Sequence, residues 1–276
     1  MVLVRYASQS KWGLEIGGMA VFDLDNHTAL HLEAVQIIPL EGETLLDFYT
    51  RIITERAPEL KKISNVVFAD AYFSKEPFVS KLMCCGLDVI SRLRDDVRLR
   101  YILQIRKTDE KGKPKTNGNK VNFSCLDNKH FSIESVSDDL RIQTAVVYAV
   151  HLKRLVRVVF VEFLKNGKNT SSNVYFSTNN ELEAAEIFEI YQTRFQIEFV
   201  YRDAKQRTSL TSCQARNKEK LYFHFNMSLT AVNVAKIVHW YSIPIESRKS
   251  FSLSDIKTIN HNTLLLERFI HCCPNF

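Results

Sequence analysis

Apolar positions change their period several times along the chain, and each change marks a new element. Residues 13–23 and 28–39 follow a period of two, with Leu30, Leu32 and Ala34 set against His31, Glu33 and Val35. The turn cluster Asp23-Leu24-Asp25-Asn26-His27 separates the two runs. An antiparallel hairpin is therefore predicted, bulged or bent at Gly17-Gly18. The period then lengthens to that of a helix. Leu45, Leu46, Phe48, Tyr49, Ile52 and Ile53 form one face of a helix over residues 41–57, which Pro58 stops. Val66, Val67 and Phe68 in succession predict a central strand over residues 65–69, buried on both faces, that delivers Asp70. A helix over 76–85, capped at Ser74 and ended by Gly86, leads to a second buried strand over 87–92.

Beyond Arg92 the pattern shortens. Residues 94–120 are rich in charge and end in a basic loop of flexible composition. Strand-like runs follow at 143–152, 156–164 and 173–177, the last two joined by the turn Lys165-Asn166-Gly167-Lys168. Asn179 or Asn180 is placed to cap one continuous helix over 181–206, and a second long helix over 218–240 is apolar enough to be core. A turn marked by Pro244, a helix from about Ser254 and an apolar tail complete a mixed α/β chain with no internal repeat.

Composition narrows this picture. With 276 residues and 45% hydrophobic side chains, the chain suits one large domain, or one domain carrying an insertion. A net charge of +6 is compatible with nucleic acid. The six cysteines, at 84, 85, 125, 213, 272 and 273, lack the CxxC spacing of a zinc site, and His271 beside Cys272 and Cys273 reads as a reduced terminal cluster. No secretory signal opens the sequence and no apolar run reaches about 18 residues, so a reducing cytosol is expected and a membrane partner is not.

The chemistry concentrates in the helix predicted over 181–206. On a continuous helix Tyr191, Arg194, Glu198, Arg202 and Lys205 fall within an arc of about 80°, beside an apolar face of Ile190, Ile197, Val200, Tyr201 and Ala204. Such a stripe is also what a solvated, ion-paired helix face looks like, with Glu198 between Arg194 and Arg202 at i±4. Likewise Asp70, taken alone, is an ordinary turn or cap residue. Taken together, an acid at a strand end and an acid on a later helix are what a two-metal phosphoryl-transfer site needs, and the bases and phenol around them suit DNA phosphates.

Tyr191, Arg194, Glu198 and Lys205 match at every position the Tyr-x2-Arg-x3-Glu-x6-Lys signature of bacterial DDE transposases of the insertion sequence four type. The stretch Ala69-Asp70-Ala71-Tyr72-Phe73 resembles the region that carries this family's second acid, and the resemblance runs from about Lys11 to the C-terminus. It implies an RNase H-like core, a mixed sheet flanked by helices. Residues 1–92 would begin that core, 93–178 would be a mostly β insertion, and 179–276 would hold the glutamate helix and the helices that complete the core. It implies Asp70 and Glu198 as catalytic metal ligands for two Mg²⁺ or Mn²⁺ ions, with Tyr191, Arg194 and Lys205 on transposon-end phosphates. Arg202 joins this DNA-binding group from helix geometry alone. The implied function is cut-and-paste transposition in the bacterial cytoplasm, by a homodimer on double-stranded transposon ends and target.

One feature departs from the family pattern. The first of three acids belongs on a core strand ahead of the hairpin, where Val2-Leu3-Val4-Arg5-Tyr6 carries no carboxylate. Glu15, which lies in a strand, and Asp23 and Asp25, which read as turn residues, are the alternative sources of that acid. The expectation is a copy truncated at its N-terminus, without the first core strand, and inactive or impaired. A DNA-binding remnant acting as a regulator and an RNase H-like nuclease are the alternatives, and the Tyr-Arg-Glu-Lys spacing disfavours the nuclease.

Overall fold

The computed structural model describes residues 15–94, 96–102, 117–248 and 251–272. The expectations for residues 2–6, 13–14 and 103–116, for Cys273 and for the final tail lie outside them. The chain is mixed α/β, with a mixed sheet flanked by helices, compatible with the RNase H-like architecture. It divides into two compact units, one of residues 37–194 and one of 15–36 with 195–272.

The first unit is built on an eight-stranded sheet. Strands β3 (Val66–Ala69), β4 (Asp88–Leu93), β10 (Lys168–Ser177), β9 (Arg154–Lys165), β8 (Leu140–Ala149), β5 (Leu99–Ile102) and β6 (Asn117–Lys120) follow in that order, and β7 (Ser132–Val136) pairs with β8. Only β3 and β4 are parallel. The β9–β10 turn forms as predicted, with Asn166 and Gly167 both at positive φ (52° and 73°). Helices α1 (Leu45–Leu60), α2 (Glu76–Cys84) and α3 (Ala184–Gln192) flank the sheet. Tyr49, Phe73, Phe78, Leu82, Ile90, Phe176 and Ile187 are fully buried between these layers.

Several local expectations give way here, each for a visible reason. Helix α1 starts at Leu45 because Gly42 has φ +76°, and Thr44 and Asp47 form a capping box. Pro58 lies inside its last turn, and the ladder resumes with Lys61 N–H donating to Ala57 O at 3.0 Å. Helix α2 is capped at Lys75 without a side-chain bond, because the Ser74 hydroxyl serves the sheet instead. Strand β3 ends the sheet path among the described residues, and Val66, Val67 and Phe68 are half-exposed. Glu183, with extended backbone, caps α3 in place of Asn179 or Asn180.

The second unit pairs a hairpin with helices. Strands β1 (Ile16–Asp23) and β2 (Thr28–Gln36) are antiparallel, and their irregularity falls between Met19 and Ala20. Gly17 and Gly18 are therefore not the bulge. Gly18 serves a close approach, since a Cβ there would overlap the Tyr201 ring. Helices α4 (Gln196–Arg207) and α5 (Lys218–Tyr241) pack on β2, and α6 (Leu253–Cys272) on α4 and α5. Helix α5 buries one face, Leu221, Phe225, Ser228, Leu229, Val232 and Lys236, and exposes the other. That buried face includes polar groups aimed at β2. Asn226 bonds both the N–H and the carbonyl of Ala34, and Asn233 those of His31, all at 2.7–3.0 Å. The open edge of β2 is thus satisfied by side chains rather than by another strand.

Candidate active site

Asp70 stands one residue beyond β3, with extended backbone (ψ 160°), and its Oδ1 accepts from Ala71 N–H at 2.6 Å as the cap of a 3₁₀ turn, Ala71–Phe73. The neighbouring strand holds it in place. Ser91, fully buried on β4, donates to the Asp70 carbonyl at 3.1 Å. Ser74 Oγ lies 2.8 Å from Ser91 Oγ and donates to the Arg92 carbonyl at 2.7 Å. The chain on both sides of Asp70 is therefore tied to β4.

The register continues across the sheet. Ala69 pairs with Ser91, which sets Asp70 beside Arg92, and Arg92 pairs with Tyr175 on β10. Tyr191, from α3, packs on Tyr175 with ring centroids 4.8 Å apart, and the Arg194 guanidinium lies 5.7 Å over the Tyr191 ring. Tyr191 is buried, and burial pushes its hydroxyl up to about 12. Arg194 and Arg92 oppose that rise, while Asp70 adds to it. Burial raises Tyr175 as well, again against Arg92 and Arg194. At neutral pH both phenols stay protonated. Two phenols, two guanidiniums and one carboxylate thus gather at the ends of β3 and β4 within the first unit.

The predicted continuous helix is interrupted. A 3₁₀ turn, Thr193–Phe195, separates α3 from α4. Such a turn advances about 120° per residue instead of about 100°, so its three residues shift the helical phase between Tyr191 and Lys205 by about 60°. The Thr193 hydroxyl donates to the Ile190 carbonyl at 2.7 Å, a local bond of the kind that tightens or bends helices. That threonine is the one sequence signal of the break. The break also divides the signature. Tyr191 and Arg194 belong with Asp70 in the first unit, and Glu198, Arg202 and Lys205 belong to the second.

On α4 itself Glu198, Arg202 and Lys205 recur at helical spacing on one exposed face, opposite buried Ile197, Val200, Tyr201 and Ala204. Arg202 lies 4.7 Å over the Phe199 ring and 3.4 Å from Asp203 Oδ1. Among the hairpin acids, Asp23 accepts from the backbone and side chain of Asn26 at 3.0 and 2.8 Å, as a turn residue does. Cys84, Cys85, Cys125, Cys213 and Cys272 are free thiols.

Asp70 and Glu198 offer hard carboxylate oxygens, the donors that Mg²⁺ and Mn²⁺ take. Among the described residues no group of three or more His, Cys, Asp or Glu side chains is gathered for a metal ion. Arg92, Tyr175 and Ser91 did not stand out in the sequence, and Ser74 did so only as a helix cap. The available signals were an arginine ending an apolar strand and a tyrosine inside one.

A strand-end carboxylate near phenols and guanidiniums, on a mixed sheet flanked by helices, belongs to an α/β protein compatible with RNase H-like architecture. The family model described as "Transposase DDE domain" matches residues 47–234, a span that contains Asp70 and the whole signature, and the chain belongs to that family. No curated protein matches it. The family links the chain to DNA transposition, with DNA as substrate, and DDE transposases generally use divalent metal ions. No helix among the described residues is long and apolar enough to cross a membrane.

Proposed function

We propose that this chain is a transposase catalytic domain of the insertion sequence four type, directing cut-and-paste phosphoryl transfer on double-stranded transposon ends and target DNA. One observation carries the reading: Tyr191, under the Arg194 guanidinium, lies within electrostatic reach of Asp70, over a hundred residues away in sequence. In this reading residues 93–178 are a β insertion into a core formed by 1–92 and 179–276, and the protein works as a homodimer on DNA in the bacterial cytoplasm.

The residues divide the work by chemistry. Tyr191, kept protonated by burial, donates a hydrogen bond to a phosphate oxygen. Arg194 brings a fixed cation against the same phosphodiester. Arg202 and Lys205, exposed on α4, bind further backbone phosphates. Asp70 and Glu198 would hold Mg²⁺ or Mn²⁺. When bound, the ions supply Lewis-acid stabilisation of the charge that develops on the attacking and leaving oxygens.

Only two of the family's three acids are matched, and two carboxylates hold ions more weakly than three. The chain alone is therefore expected to bind duplex DNA while transferring strands slowly or not at all. A non-catalytic role, as a regulator that competes for transposon ends, is the second reading. It is favoured by the phenol and bases of Tyr191, Arg194, Arg202 and Lys205, which suit DNA phosphates whether or not strands are transferred. Binding and Mg²⁺-dependent nicking of duplex oligonucleotides test both readings. Salt-sensitive binding that Arg194→Ala weakens, with little nicking, is the expected result. Binding unaffected by Arg194→Ala and by salt contradicts the DNA-directed site, and robust strand transfer contradicts the impairment.

A further inference from the structure

Arg92 is not part of the signature, yet it lies at the centre of the site. It pairs in register with Tyr175 on one side, and on the other it follows Ser91, the partner of the residue before Asp70. Its carbonyl is fixed by Ser74, which also contacts the serine that fixes Asp70. Cross-strand pairs share a face of a sheet, so Arg92 is on the side of Tyr175. Tyr191 packs on that same tyrosine, and Arg194 stacks on Tyr191. Two cations therefore approach the buried phenols from different elements, Arg92 from β4 and Arg194 from the end of α3. Arg92 itself is half-exposed, so it is not sealed in the core.

A half-exposed guanidinium beside two protonated phenols suits an anion with several oxygens, and the planar five-donor guanidinium suits phosphate above other anions. We infer that Arg92 is a further phosphate-binding residue, holding the nucleic-acid phosphodiester next to Asp70 in concert with Tyr191 and Arg194. This assignment rests on the DNA-directed reading of the site. It gives the sheet an active part in substrate binding, since Arg92 rides on the strand that fixes Asp70. The scissile region and the carboxylate are then held by one rigid frame of β3, β4, Ser91 and Ser74.

The test is duplex DNA binding by the full chain across a salt series, for the wild type, Arg92→Ala, Arg92→Lys, Asp70→Asn and Asp70→Asn/Arg92→Ala. Thermal melting of each variant checks that the fold persists. Arg92→Ala is expected to weaken binding about tenfold at low salt. It should also lower the slope of log affinity against log salt by about one. Arg92→Lys should restore the slope and part of the affinity. The loss should persist in the Asp70→Asn background, which separates a phosphate contact from simple neutralisation of Asp70. An Arg92→Ala variant that binds with wild-type affinity and slope overturns the assignment and leaves the DNA reading standing. So does a loss that disappears when Asp70 is also neutralised. Salt-insensitive binding by the wild type overturns both.

Discussion

Lys236 shows how a single buried charge shapes the second unit. Its ammonium donates to Thr28 Oγ1 at 3.0 Å and to the Ala29 carbonyl at 2.8 Å, and burial pulls its pKa down to about 8 from 10.5, with Asp203 resisting. The sign follows from proton binding. Between pH 8 and 10.5 the unfolded lysine holds its proton more firmly than the folded one. Folding then becomes more favourable as pH rises through this window. Urea unfolding should show the wild type gaining stability relative to Lys236→Met from pH 8 to 10.5, and a flat difference contradicts it. Tyr201 offers a second test. Its hydroxyl is buried with no hydrogen-bond partner among the described residues, and its ring fills the space above Gly18. Tyr201→Phe removes an unsatisfied polar group, so it should be neutral or stabilising by up to about 1 kcal/mol in thermal or urea melts. Gly18→Ala forces the ring away and should cost about 1–3 kcal/mol in the same measurement.

At the scale of elements, legibility in the sequence depended on what set each boundary. The Asn166-Gly167 turn was readable because a two-residue hairpin demands positive φ, which those residues supply. Strands β3 and β4, and the delivery of Asp70, were readable from short apolar runs. Boundaries set by tertiary bonds were not. Ser74 has the composition of a helix cap but is recruited by Ser91 and the Arg92 carbonyl. Asn226 and Asn233 look like interruptions of an apolar helix, and their role appears only with the β2 edge beside them. The 181–206 helix was broken by a 3₁₀ turn that no glycine or proline announces. Removing the Ser91 hydroxyl should expose how far the frame matters. Ser91→Ala leaves Asp70 identical in chemistry but frees its carbonyl tether, so melts should fall by about 1 kcal/mol and DNA affinity should fall with them. Unchanged affinity shows that Asp70 and Arg92 are positioned without it.

At the scale of the molecule, family membership and fold class were legible because they rest on spacing and element order, which survive local errors. The candidate site was half legible. Tyr191, Arg194 and Asp70 were named from sequence and interact with one another, while the continuous helix assumed for Tyr191, Arg194, Glu198 and Lys205 is interrupted at Thr193–Phe195. The signature spans two compact units, one holding Asp70, Tyr191 and Arg194 and the other Glu198, Arg202 and Lys205. The central claim of the proposed function is that Asp70 and Glu198 are both divalent-metal ligands. Mn²⁺ binding, followed by electron paramagnetic resonance in the presence of duplex DNA, tests this without relying on turnover. The account predicts binding by the wild type that both Asp70→Asn and Glu198→Gln weaken at least tenfold. If Glu198→Gln binds Mn²⁺ as the wild type does while Asp70→Asn does not, Glu198 is not a metal ligand and the account is contradicted.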